Sequence, residues 1–183
     1  MKRLGAIFAG GQSRRFGVDK AAVLIDGIAL IDHVAAALRP QCETLVIVGR
    51  AWRDLPSVDD VPRAGLGPLG ALAGALRHAE AAGFDDVLTA GCDLPQLAAN
   101  LAAILEPAPA VIKGQPLLGL WPCALAEPLI VHLRDQDDRS MRGWIAAAGA
   151  RQVPVASQIP NINTPADLAT FLADRPAGGH SLG

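Results

Sequence analysis

The chain has 183 residues, of which 51% are hydrophobic and 19% charged, with a formal net charge of −2, a pI near 6.0 and a mean hydropathy of +0.30. That length suits one domain with a substantial core, and the apolar content excludes wholesale disorder. The mild acidity argues against a protein that coats nucleic acid, and no apolar run is long enough to cross a bilayer.

Short β-type runs alternate with longer helical stretches. "LGAIF" (4–8) predicts a buried strand, and "ALIDHVAAAL" (29–38) a helix closed by Pro40. A second buried strand follows at 44–49, then a helix over 68–82 with Pro68 in its first turn and Gly83 beyond its end. "DVLTAG" (86–91) predicts another strand, leading into "CDLP", and a helix over 99–106 stops at Pro107. Weaker strands are expected near 110–112 and 117–121, helices near 124–133 and 140–148, and a strand at 152–155. In "NINTPADL", Thr164 is placed to cap a last helix with Pro165 at its first position and Asp167 in its first turn. One domain is therefore expected over 1–173, with a flexible tail at 174–183. The alternation implies a mostly parallel sheet covered on both faces, a Rossmann-like three-layer α/β/α sandwich. Ligands in such sheets bind outside the carboxyl ends of the strands.

The basic start Lys2-Arg3 leads into too short an apolar stretch for a signal peptide, so the expected location is the cytoplasm. Cys42, Cys92 and Cys123 lie far apart without a C-x-x-C pairing, which suits free thiols in a reducing compartment rather than zinc or disulfides. The four histidines show no metal-type spacing.

The densest chemistry sits in "AGGQSRRFGVDK" (9–20), directly after the first strand. Neither G-x-x-x-x-G-K-[ST] nor G-x-G-x-x-G is present in this loop, where Gly10 and Gly11 are adjacent. Gly10 and Gly11 nevertheless let backbone N–H groups approach phosphate oxygens closely. Arg15 and Lys20 supply charge, one as a fork and the other as a point charge. A solvated turn with incidental basic residues is the plain alternative. Asp93, at the end of the strand 86–91, is placed to hold Mg²⁺ against a triphosphate, although a turn-forming Asp ahead of Leu-Pro is common. Gly65, Gly67 and Gly70 around Pro68 allow a tight turn into a helix, either with the helix start facing a ligand or for close helix packing alone. Asn161 and Asn163 flank a helix start, and with Thr164 as the cap their amides are left for polar contacts. Arg139, Ser140 and Arg142 precede a helix and are either an exposed basic face or an anion contact.

The stretch "FAGGQSRRFGVDKAAV" resembles the signature loop of the molybdenum cofactor guanylyltransferases, in which Leu-Ala-Gly-Gly is followed by Ser-x-Arg-Met-Gly and a Lys. Here it runs Phe8-Ala9-Gly10-Gly11, Ser13-Arg14-Arg15-Phe16-Gly17 and Lys20, with apolar swaps at Phe8 and Phe16. "DVPRAGLGPLGALAGAL", "GCDLPQL", "DDRSMRGWIAAAG" and "NINTPADL" are similar to further family motifs in the family's order, and together they cover most of the chain. Two departures are visible. A frequent Asn after the second strand is replaced by Gly49 and Arg50, and the segment 108–117 is short.

The resemblance implies a nucleotidyltransferase fold of the glycosyltransferase-A-like type. It also implies transfer of GMP from GTP to molybdenum-bound molybdopterin, with Mg²⁺ as cofactor and pyrophosphate as product. Catalytic roles fall to Lys20, Arg15 and Asp93, and nucleotide contacts to Phe8, Ala9, Gly10, Gly11, Lys20, Asp60 and Asp93. The resemblance gives Asp60 the guanine-contacting role: a carboxylate accepts from guanine N1–H and its exocyclic amine, with Asp59 as the other possible member. Acceptor contacts fall to Arg139, Arg142, Asn161 and Asn163. A monomer is expected, in transient contact with delivery proteins or molybdoenzymes, and without nucleic acid or membrane. Three rivals are a molybdopterin cytidylyltransferase, a sugar-phosphate nucleotidyltransferase and a non-catalytic GTP or pterin carrier. The cytidylyl loop reads Ala-Ala-Gly where this chain has Ala-Gly-Gly, the sugar enzymes are usually longer, and a carrier has no use for a Lys20–Asp93 pair.

Overall fold

The structure is a computed structural model that describes residues 1–10, 19–156 and 159–174. An inner strand of its main sheet, β1 (Arg3–Phe8), is the first apolar run of the sequence. It lies parallel to β4 (Thr44–Val48) on one side and β6 (Asp86–Gly91) on the other. Beyond β4 lies β5 (Ser57–Val58), and beyond β6 lie β8 (Gln115–Pro122), β7 (Ala110–Ile112) and β9 (Arg151–Val153). β8 is antiparallel to both its neighbours, while β9 is parallel to β7 and β5 to β4, so the sheet is mostly parallel.

Alternate residues of β1 feed two cores, which is what a strand buried on both faces requires. Leu4, Ala6 and Phe8 pack with α2 (Gly67–Ala81), α4 (Ala126–Asp135) and α5 (Met141–Ala147), whereas Ile7 packs with α1 (Leu30–Leu38) and α3 (Leu101–Leu105). These are the two helical layers of a three-layer α/β/α sandwich.

Element ends follow local chemistry. α1 stops ahead of Pro40 in a 3₁₀ turn, and Gly83 takes φ +76° just past α2, the left-handed conformation favoured beyond a helix end. α3 is shorter than the expected 99–106. Gln41 Oε1 reaches over to accept from Ala102 N at 2.9 Å, and Glu106 is extended (ψ 141°) because the following Pro107 disfavours helical backbone there. α5 starts at Met141, since Ser140 Oγ accepts from Gly143 N at 3.0 Å. Arg142 therefore lies inside this helix and not ahead of it. The last helix, α6 (Pro165–Ala173), opens with a full capping box between Thr164 and Asp167.

The sequence reading passed over the small hairpin of β2 (Leu24–Ile25) and β3 (Ile28–Ala29). Its Asp26-Gly27 turn has φ 53° and 77°, and an Asp-Gly pair is a recognised hairpin signal. Ile25 of this hairpin joins Leu30 and Ile162 in a third, smaller core, with Leu168 and Phe171 of α6 packed against it.

Leu72, fully buried at the centre of α2, bonds that helix to the sheet through apolar contact alone. Leu72→Ala is expected to lower the unfolding free energy by about 2–5 kcal/mol, read from the shift of the urea midpoint at unchanged slope.

Candidate active site

Three parallel strands end together. Ala9 N donates to Val48 O at 3.0 Å, Cys92 N to Phe8 O at 3.1 Å and Gly49 N to Val58 O at 3.1 Å, so the ladder carries one residue past each strand end. Above this edge opens a cleft of about 1140 Å³ whose walls include Gly10, Lys20, Gly49, Asp60, Asp93 and Asn163. It lies outside the carboxyl ends of β1, β4 and β6, where an open α/β sheet places its ligand.

The floor is bare backbone. Gly49 has φ +89°, and a Cβ there would lie 2.6 Å from the Cα of Gly10. The two chains pass so closely that a side chain at 49 is excluded both by the conformation and by the contact. This accounts for the glycine at a position where the resembled family often has Asn.

Lys20 begins a 3₁₀ turn (Lys20–Ala22) that is capped by Asp19, whose Oδ1 accepts from Ala21 N at 3.2 Å. From this turn the Lys20 ammonium donates to Asp93 Oδ2 at 3.0 Å and to Asn163 Oδ1 at 2.6 Å. The side chains of Lys20 and Asp93 are only 13% and 19% exposed. Asn163 is brought in by its neighbours: Ile162 N donates to Asp93 O at 3.0 Å, and Asn163 N donates to Asp167 Oδ2 at 2.9 Å within the α6 cap. The Asn163 amide, expected to be left over for a ligand, is thus engaged with Lys20.

Asp59 and Asp60, which follow β5, also line the cleft. Asp60 Oδ2 accepts from Gly65 N at 3.3 Å, and Val61 N donates to Gly70 O at 3.1 Å. Gly74 lets this segment lie directly on α2, because a Cβ there would collide with the Asp59 carbonyl. Asp60 is half-buried and Asp59 exposed, so both carboxylates remain open to a ligand in the cleft.

Of the residues singled out in the sequence, Phe8, Ala9, Gly10, Lys20, Asp60, Asp93 and Asn163 line this one cleft. Arg139 and Arg142 are exposed and Asn161 half-buried, and the cleft wall contains none of the three. Asn161 Oδ1 is buried without a hydrogen-bond partner among the described residues. Gly11 and Arg15, with Ser13, Arg14, Phe16 and Gly17, lie outside the described residues.

Sequence reasoning missed Asp19, which lines the cleft, and its partner Arg50. The Arg50 guanidinium donates to both Asp19 oxygens, at 2.6 and 2.5 Å, which holds the Asp19 carboxyl below the usual carboxylate range and raises Arg50. The pairing spans 31 positions, and no local pattern announces it.

The donor set suits a hard divalent ion shared with phosphate. Asp93 and Asn163 aim two oxygens at one cation, the Lys20 ammonium. Among the described residues no group of three or more His, Cys, Asp or Glu forms a cage. One carboxylate completed by substrate oxygens is the usual arrangement for Mg²⁺.

A glycine-floored cleft at strand ends, with a lysine and an aspartate facing into it, belongs to the α/β nucleotidyltransferases. The MobA-like NTP transferase domain matches residues 5–153, and the chain belongs to that family. The molybdenum cofactor guanylyltransferase of Cereibacter sphaeroides (strain ATCC 17029) is 38% identical, over 92% of this chain and 95% of that protein. The molybdopterin-guanine dinucleotide biosynthesis protein A of Archaeoglobus fulgidus shares the fold with a TM-score of 0.73 at 24% identity, covering 91% of this chain and 95% of that one. Rv0371C of Mycobacterium tuberculosis, solved in complex with manganese, has a TM-score of 0.66 at 14% identity, over 96% and 100% of the two chains. The chain is accordingly an enzyme of the nucleotidyltransferase class, related to proteins of molybdenum cofactor biosynthesis. Among its described residues no helix is long and apolar enough to cross a membrane.

Cys92 adjoins Asp93 on the cleft wall. Burial first, and then the Asp93 charge, pushes its thiol up to about 11; burial raises Cys123 to about 11 and Cys42 to about 12. At pH 8 only about one thiol in a thousand with such a pKa is ionised. Iodoacetamide at pH 8 should therefore leave the folded protein unlabelled over a time that alkylates all three cysteines in urea, as mass spectrometry would show.

Proposed function

We propose that the chain transfers GMP from GTP to molybdenum-bound molybdopterin, forming the guanine dinucleotide cofactor and releasing pyrophosphate. The observation that carries this is the Lys20–Asp93 contact of 3.0 Å inside the cleft at the strand ends, a cation of the kind that binds phosphate beside a carboxylate of the kind that binds a metal. The 38% identical relative, a molybdenum cofactor guanylyltransferase matched along nearly its whole length, supports the choice of substrates.

In this reading the triphosphate enters over Gly10 and Gly49, where no side chain stands in the way, and the Gly10 N–H meets its oxygens. Lys20 turns from Asp93 and Asn163 to the phosphates, and Arg15 adds a second cation. Asp93 and the Asn163 amide oxygen would hold Mg²⁺, which when bound would supply neutralisation of charge on the phosphate oxygens. Asp60 accepts from guanine N1–H and the exocyclic amine. The acceptor's terminal phosphate attacks the α-phosphorus in line, and the pyrophosphate leaves against Lys20. A phosphate monoester already carries negative charge, so no general base is required. Positioning and charge neutralisation supply the rate. Arg139, Arg142 and Asn161 are assigned to the acceptor side, away from the nucleotide.

The test is pyrophosphate release from each nucleoside triphosphate with purified molybdopterin acceptor and Mg²⁺. GTP alone should support turnover; release with CTP and not GTP would overturn the base assignment. Lys20→Ala and Asp93→Ala should each lower kcat at least about a hundredfold, or ~2.7 kcal/mol of transition-state stabilisation, with the circular dichroism spectrum unchanged. Asp60→Ala should cut the preference for GTP over ITP about tenfold or more, the scale of one charged hydrogen bond. Equal preference in wild type and variant would place base recognition elsewhere.

A further inference from the structure

Arg50 carries a chemistry that the nucleotide site does not account for. It follows Gly49 at the end of β4, yet its guanidinium grips the carboxylate of Asp19 through two parallel bonds of 2.6 and 2.5 Å. Asp19 is the residue immediately before Lys20 and the cap of its turn. The guanidinium also lies 5.3 Å from the ring centroid of Trp52. Trp52 is fixed in turn: its Nε1 donates to Asp32 Oδ1 at 2.8 Å on α1, and Asp32 pairs with Arg53 at 3.0 Å. One rigid chain of contacts thus runs from α1 through Trp52 and Arg50 to the turn that carries Lys20.

We infer that Arg50 and Asp19 form a positioning latch that fixes the direction from which Lys20 enters the cleft. The inference rests on the proposed nucleotidyl transfer only in giving Lys20 its role; the latch itself is geometric. Two bonds fix an angle as well as a distance, which a lysine at 50 would not do. The pair also cancels the charge of Asp19, a carboxylate on the cleft wall that would otherwise repel a triphosphate. Lys20 hangs on a 3₁₀ turn of three residues, too short to be stable alone. Its far end is held by the buried Ala21 and by Leu30 N donating to Val23 O at 2.8 Å; its leading end, from which Lys20 extends, is held by what grips Asp19.

Asp19→Asn keeps a good cap while removing the charge, and Arg50→Gln removes the fork. With GTP and Mg²⁺ saturating, each should lower kcat about tenfold, as a misdirected catalytic group does, with KM for GTP changed less than about threefold. The double variant should fall no further than either single one, since the two act as a unit. Arg50→Lys should recover only part of the loss. Full recovery, a rise in KM at constant kcat, or losses that multiply in the double variant would each overturn the latch, the second because it marks simple charge cancellation. An inactive wild type would instead defeat the proposed function. The latch is still decided then by amide hydrogen exchange: Arg50→Gln should speed exchange at Ala21, Ala22 and Val23 about tenfold, while β1, β4 and β6 stay protected. Unchanged exchange at those three amides would refute it.

Discussion

The site depends on one convergence: an ammonium from the start of the chain meets oxygens from its middle and its end. Lys20 lies 73 positions from Asp93 and 143 from Asn163, and the bonds it makes are too weak to bring those segments together themselves. Packing does that. β1 and β6 are adjacent in the sheet, which places the residues following each on one edge. The small core of Ile25, Leu30 and Ile162 joins the hairpin after Lys20 to the segment that holds Asn163. With the backbone so placed, the side-chain bonds add direction rather than cohesion. Pairing matters energetically in the other sense: Lys20 and Asp93 are largely withdrawn from water, and each ion without the other would bear its desolvation alone.

The charge pattern of the cleft explains how a chain of net charge −2 handles an anionic substrate. Asp19, Asp59, Asp60 and Asp93 all line the walls, an unpromising setting for phosphate. Each carboxylate, however, has a distinct surrounding. Asp19 is neutralised by Arg50 and Asp93 by Lys20, while Asp60 takes the Gly65 backbone N–H. Two of the four carboxylates thus have their charge met by a cation from the protein itself. Local arrangement, not net charge, sets the field inside the cleft.

The sandwich was legible because its signals are local. Strands buried on both faces read as continuous apolar runs, and the helices carry Pro, Gly and Thr at their ends. The exceptions have physical causes: α3 takes its cap from Gln41, 61 positions away from Ala102, and the hairpin at Asp26-Gly27 has strands of two residues, too short to show an alternation. The candidate site was legible in Lys20, Asp60, Asp93 and Asn163, which stand in motifs beside strand or helix ends. The Lys20–Asp93 pair was legible with them; the remaining partners escaped. That Asn163 faces Lys20, and that Arg50 faces Asp19, depends on tertiary distances that no spacing encodes. Arg139, Arg142 and Asn161 lie outside the cleft wall, a placement that their motifs do not encode either.

The two residues that depart from the resembled family, Gly49 and Arg50, explain each other. A side chain at 49 would meet the Cα of Gly10, so the polar contact that an Asn would offer a nucleotide cannot be made from that position with this backbone. The close passage goes with a ladder that runs one residue past β1 and β4, Ala9 N donating to Val48 O and Gly49 N to Val58 O. The next residue, Arg50, reaches the turn of Lys20 through Asp19. An arginine is long enough to reach that turn and, stacked over Trp52, stiff enough to hold it. Positions 49 and 50 thus combine a bare floor at one residue with a grip on the Lys20 turn at the next.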